Sequence, residues 1–177
     1  MKASGGTPAQ RIAGRRGPTE GASHELQDQG LAPERFAHLF ALSDAALAAQ
    51  GAVRVTADSE RGYPCRIGLD HAGPGEQVLL LNHVSHDVPT PFRTAYAIFV
   101  REGAMAAVFE NRLPPVLEGR TLSLRGFDRA GMLHAAVLAA PGEAEAGIAA
   151  LLDDPAVDSI HAHNAAYGCF LARIGRD

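Results

Sequence analysis

At Gly51 the spacing of apolar side chains changes from a helical period to a period of two, and the shorter period persists almost to the end of the chain. Successive side chains on a strand point to opposite faces, so this pattern commits most of the chain to sheet and confines helix to the front and one later segment. Strands are expected in "AVRVTA" (52–57), "CRIGL" (65–69), "QVLLLNH" (77–83), "AIFVRE" (97–102), "TLSLRGF" (121–127), "MLHAAVLA" (132–139), "DSIHAH" (158–163) and "GCFLARI" (168–174). The centre of 77–83 is apolar on both faces and belongs inside the sheet. "DHAGPGE" (70–76) carries turn chemistry, with Gly73, Pro74 and Gly75.

The helical signals are local. Pro33 suits a first helical turn, where its missing N–H costs nothing, and Phe36, Leu39 and Phe40 follow on one face. Ser43 is a good N-cap for a second short helix, with Asp44 in its first turn, Leu47 as its anchor and Gly51 just past its end. Residues 143–152 return to helical spacing through Ala144, Ile148, Leu151 and Leu152. The expected fold is α+β: a mostly antiparallel sheet of about six to seven strands, with two N-terminal helices and one later helix packed on one face.

A chain of 177 residues fits one domain and buries enough surface to fold without metal or disulfide. The first thirty residues hold only Ile12 and Leu26 as large aliphatic side chains after Met1. Such a stretch does not offset its own ordering entropy, so residues 1–30 are expected to be a disordered extension and 31–177 the folded domain. A net charge of −4 argues against a nucleic-acid partner, which calls for a basic stripe. No apolar run reaches the ~20 residues that span a bilayer, and no apolar signal core follows Arg15 and Arg16, so a cytoplasmic protein with reduced thiols is expected.

Strand parity sorts the polar residues. Cys65, Ile67 and Leu69 share an apolar set with Arg66 opposite; Leu122 and Leu124 oppose Thr121, Ser123 and Arg125; Ile160 and Ala162 oppose His161 and His163. In the last strand Phe170, Ala172 and Ile174 oppose Cys169, Leu171 and Arg173. One sheet face is therefore expected to collect Arg66, Arg125 and Arg173, with Arg93, Arg101 and Asn164 joining from neighbouring segments. Guanidinium groups are fixed forked donors suited to carboxylate or phosphate, and several on one face make a site for a small anionic ligand; the bland alternative is a solvated face with each Arg paired to an acid. On such a face His83 or His161 is a candidate acid or base and Cys169 a candidate nucleophile. Cys65 reads as a buried, inert thiol; for Cys169 a packed structural role competes with a working one.

Histidine spacing offers a second reading. His161 and His163 are two apart on one strand face, and His83 and His86 close "LLLNHVSH", so these four are a candidate metal set. No HExxH, paired CxxC, Walker loop, GxGxxG opening a helix or GxSxG elbow occurs, and no cofactor is expected. "RLPPVLEGR" (112–120) is a Pro-containing loop, either a lid or a connection. A third reading is a non-enzymatic module that forms a homodimer through an exposed strand edge.

The stretches "FAHLFALSDAALAAQGAVRV", "GYPCRIGL", "GEQVLLLNHVSH", "TPFRTAYAIFVRE", "RTLSLRGFD" and "NAAYGCFLARI" resemble the bacterial family called domain of unknown function 1203. The likeness spans about Leu31 to Ile174, and the pairing of "PCR" near its start with "GCF" near its end is its most specific mark. The resemblance implies a compact single-domain bacterial protein whose small relatives begin near Leu31, and it carries over no activity. It also implies that arginine is commoner than histidine at the position of His163, which favours the anion reading over the metal one.

Overall fold

The computed structural model describes residues 26–176 of the protein. In chain order the elements are β1 (Leu26–Gln29), a 3-10 turn (Pro33–Arg35), α1 (Ala37–Phe40), α2 (Asp44–Ala49), β2 (Val53–Thr56), β3 (Pro64–Cys65), β4 (Asp70–His71), β5 (Gln77–His86) and β6 (Thr94–Arg101). β7 (Val108–Glu110), β8 (Leu122–Phe127), β9 (Leu133–Ala139), α3 (Ala144–Leu152), β10 (Ser159–Asn164) and β11 (Phe170–Arg176) complete them. The α+β class and the mainly antiparallel pairing agree with the sequence pattern. The strands divide, however, between two sheets.

One sheet has six strands in the order β7-β1-β11-β10-β8-β9, all antiparallel. The other has five in the order β2-β5-β6-β3-β4, where only the contact of β3 with β6, Cys65 opposite Phe99, is parallel. Alternation fixes which side chains share a face but not which strands share a sheet, so a single sheet could not be distinguished from two. Each sheet carries its own helix and its own core. Ile148, Leu151 and Leu152 of α3 pack on Leu122, Leu124, Ile160 and Ala162. Phe36, Leu39 and Leu47 of the N-terminal helical segment pack on Leu79, Leu81, Ile98 and Val100. Each fully buried Leu or Ile contributes roughly 1.5–3 kcal/mol, so both clusters are cores in their own right.

Local rules explain the helix ends. The Ser43 hydroxyl accepts a hydrogen bond from the Ala46 N–H at 3.3 Å and starts α2. Two departures from the sequence pattern concern chain direction. Residues 65–69 do not form a strand: after Cys65 the chain turns, Leu69 takes a φ of +52°, and the short return strand β4 follows. Leu26–Gln29, grouped by composition with the extension, forms β1 between β7 and β11. The remainder of the expected extension, residues 1–25, lies outside the described residues. Among the described residues no helix is long and apolar enough to cross a membrane.

β1 carries an unusual group. Asp28 stands opposite Ile174 on one side and Phe109 on the other, is 2% exposed, and its Oδ1 has no hydrogen-bond partner among the described residues. Burial pushes its carboxyl up from 3.8 to about 7. A raised carboxyl favours the fold below the unfolded value, and that contribution is lost as pH rises through the folded value. Asp28→Asn should therefore stabilise the protein at pH 8 by roughly 1–3 kcal/mol and far less at pH 5, as urea unfolding at the two pH values will show. An equal effect at both pH values would contradict a buried, titrating Asp28.

Candidate functional site

A cavity of about 600 Å³ opens where the two sheets meet, and its size suits a small molecule. Leu80 of β5, Ala97 and Phe99 of β6, Pro64 and Leu171 supply apolar lining, while Arg61, Arg66 and Arg120 supply charge. No Asp or Glu lines it.

Arg66 is the best fixed of the three. Its N–H donates to Phe99 O at 3.0 Å, its carbonyl accepts from Leu31 N–H at 2.7 Å, and its Nε donates to Phe170 O at 2.9 Å, 104 residues along the chain. Its Nη1 donates to Pro64 O. The residue is 2% exposed and forms no ion pair with a described carboxylate. Burial lowers its guanidinium to about 10, with Arg120 adding to that effect and the two thiols opposing it. Arg120 is lowered too, by burial and then by Arg61. The neighbouring His71 is lowered by burial, then by Arg120 and Arg61; its Nε2 lies 3.5 Å from Arg120 Nη2. Burial is the first cause of all three shifts, and neighbouring positive charge adds to each; at His71 the carboxylate of Asp70 opposes it.

Backbone conformation makes room for the arginines and aims the thiol. Gly119 has a φ of +66°, and a Cβ there would stand 3.3 Å from Arg61 Nη1. The turn after β10 is closed by Asn164, whose Oδ1 accepts from the N–H groups of Ala166 (2.9 Å) and Tyr167 (3.1 Å). Gly168, at φ +71°, ends that turn and delivers Cys169 to the cavity wall. Both cysteines are free thiols; Cys65 is buried in the second core and Cys169 is half-exposed.

The structure brings together Arg66, Asn164 and Cys169 from the sequence-derived set, and places the other arginines elsewhere. Arg93 is paired with Asp87 at 2.8 Å; Arg101 is paired with Asp70 at 2.6 Å and Glu76 at 2.8 Å. Parity assigned Arg125, Arg173 and His161 to one face, and strand pairing sets Arg125 and Arg173 opposite His161 across β8, β10 and β11. Arg125, however, donates to Tyr96 Oη at 2.9 Å, and Arg173 is exposed. Arg66 does not join them because 66–69 is a turn, so the expected single face of Arg66, Arg125 and Arg173 is replaced by two separate locations. The arginine in the cavity with Cys169 is thus Arg66, with Arg61 and Arg120, and not Arg173. Sequence reasoning missed Arg61 and Arg120; their only signal is an adjacent glycine in a loop, Gly62 and Gly119.

The histidines are ring-packed. His161 lies edge-on to His86 at 4.9 Å and to Phe127 at 5.0 Å, and His163 lies edge-on to Tyr96 at 5.0 Å. His86 Nε2 and His163 Nδ1 each lie 3.0 Å from a backbone carbonyl, of Gly131 and Gly168. His83 packs on Phe36 instead. Among the described residues no group of three or more His, Cys, Asp or Glu is arranged to hold a metal ion.

A model of the family described as "Protein of unknown function (DUF1203)" matches residues 62–176. No curated protein and no solved structure matches the chain.

The buried histidines set the acid response of the fold. Burial lowers His161 to about 3, helped by His86, His163, Arg173 and Arg125; it lowers His163 to about 4, helped by Arg125, and His83 to about 4, helped by Arg35. Below their unfolded value of 6.5 the unfolded chain takes up protons that the fold refuses, so stability falls as pH drops. Each such group contributes up to about 1.4 kcal/mol per pH unit. Asp28 acts in the opposite direction over this range, but it is one group against three. Stability measured in urea should therefore decrease between pH 6.5 and 5, and His161→Phe, which keeps an aromatic ring beside Phe127 and Phe170, should make the decrease shallower. A flat or inverted pH dependence would contradict this.

Proposed function

The chain belongs to the family of unknown function DUF1203, a membership that supplies no activity, and from the cavity itself we propose that the protein binds a small organic anion. The ligand carries carboxylate or phosphate groups, at least two negative charges, and an apolar portion. The observation that carries this reading is the unbalanced charge of Arg61, Arg66 and Arg120 in a cavity that contains no acid.

Removing a guanidinium from water costs several kcal/mol, and carbonyl partners return only part of that. An anion entering the cavity supplies the missing countercharge. Arg61 and Arg120 reach it from loops as forked donors, while Arg66 contributes from a fixed position in the wall. Phe99, Leu80 and Leu171 favour a ligand with carbon skeleton to bury over a bare inorganic ion. The chain is acidic overall, so attraction of anions is confined to this locality.

Thermal unfolding in the presence of phosphate, succinate or citrate tests the proposal. At about a hundredfold excess over Kd a bound anion adds about 2.7 kcal/mol, a rise of several degrees in Tm. The neutral diamide of succinate should give no rise. The double variant Arg61→Gln/Arg120→Gln should lose the effect while keeping the Arg66 hydrogen bonds and the fold. A shift that survives in the double variant, or that the diamide reproduces, would reject the cavity as an anion site.

A further inference from the structure

We propose that Cys169 is a site of reversible mixed-disulfide formation with small disulfides that carry carboxylates. This rests on the anion reading of the same cavity and names the chemical class of one reactive ligand. Cys169 lines the cavity, is half-exposed, and makes only a long contact, 3.8 Å from Sγ to Tyr167 O. A thiol alone would not define a site. The second observation is Arg66: it is 2% exposed, lines the same cavity, bonds only backbone carbonyls through Nε and Nη1, and forms no ion pair with a described carboxylate. A buried guanidinium at the cavity wall whose charge no described carboxylate balances calls for a negatively charged partner, and the thiol stands on the same wall.

The exchange balances without any further reagent. Cys169 gives its proton to solvent, and the thiolate attacks one sulfur of the disulfide R–S–S–R. The bond between Cys169 Sγ and that sulfur forms as the original S–S bond breaks, and the other half departs as RS⁻ and takes a proton from water. Cys169 is oxidised and the departing half is reduced, so the incoming disulfide is the oxidant. During attack the negative charge spreads over three sulfurs, and the fixed guanidinium of Arg66 stabilises it, while Arg61 and Arg120 attract the carboxylates of R. Cys65, 0% exposed in the second core, offers no resolving thiol at the cavity, so the adduct persists until an external thiol reverses the exchange.

The test uses the full chain, with glutathione disulfide as the anionic probe and 2-hydroxyethyl disulfide as the neutral one, followed by intact mass and peptide mapping. The expected result is one adduct per chain, at Cys169, reversed by dithiothreitol, and forming on the order of tenfold faster with the anionic probe. Arg61→Gln/Arg120→Gln should erase the preference without slowing the neutral reaction. Cys169→Ser, measured in parallel, reports anion binding independently through its stabilisation by citrate. If that variant is stabilised but the wild type forms no adduct, the thiol assignment fails and the anion site stands. If neither occurs, the anion reading itself fails. An adduct at Cys65, or equal rates with the two probes, also overturns the proposal.

Discussion

The guanidinium of Arg66 is the junction on which the molecule depends. It reaches from a turn of the five-stranded sheet to the carbonyl of Phe170 in the six-stranded one, and it holds the carbonyl of Pro64 beside it. The backbone of the same residue joins β6 through Phe99 and the N-terminal segment through Leu31. The planar guanidinium fixes the directions in which it serves the two carbonyls; the ammonium of lysine, with three rotatable donors, lacks that fork. Hydrogen bonds from a charged donor contribute about 1.5–3 kcal/mol each, comparable to the several kcal/mol lost in burying the ion. The hydrogen bonds therefore offset part of the desolvation cost, and a cation is left at the sheet junction with its charge unbalanced.

The cavity follows from that arrangement. Two separately packed sheets meet along a seam, and the loops ending at Gly62 and Gly119 close it with Arg61 and Arg120. The turn closed by Asn164 adds Cys169. Three segments distant in sequence thus meet around one space, and each presents a positive charge or a thiol. His161 and His163 belong to a different region, between Phe127, Phe170 and Tyr96, where lowered proton affinity keeps both neutral near pH 7. They contribute aromatic packing and acid sensitivity to the fold.

Much of the fold was legible because alternation and capping are local. Ser43 marked the start of α2, and parity assigned His161, Arg125 and Arg173 to one face, where pairing sets both arginines opposite His161. Four features were not legible, each for a physical reason. β1 reads LQDQ, with no alternation, because its place between β7 and β11 depends on backbone pairing. The apolar beat of Cys65, Ile67 and Leu69 looks like a strand, yet Leu69 turns the chain at positive φ, and this moved Arg66 away from the other arginines of its expected face. A bulge between Ala162 and His163 sets Phe170 opposite His163, against simple parity. Arg61 and Arg120 sit in loops where no period exists, and only the folded arrangement reveals that they share a cavity with Arg66.

The most direct measurement is anomalous diffraction from crystals soaked in selenate, an oxyanion whose selenium can be located without ambiguity. The account predicts the strongest selenium peak inside the cavity, within hydrogen-bonding distance of Arg66 and at least one of Arg61 and Arg120. An empty cavity with Arg61 and Arg120 turned outward onto acidic partners, and selenium found only elsewhere on the surface, would contradict it.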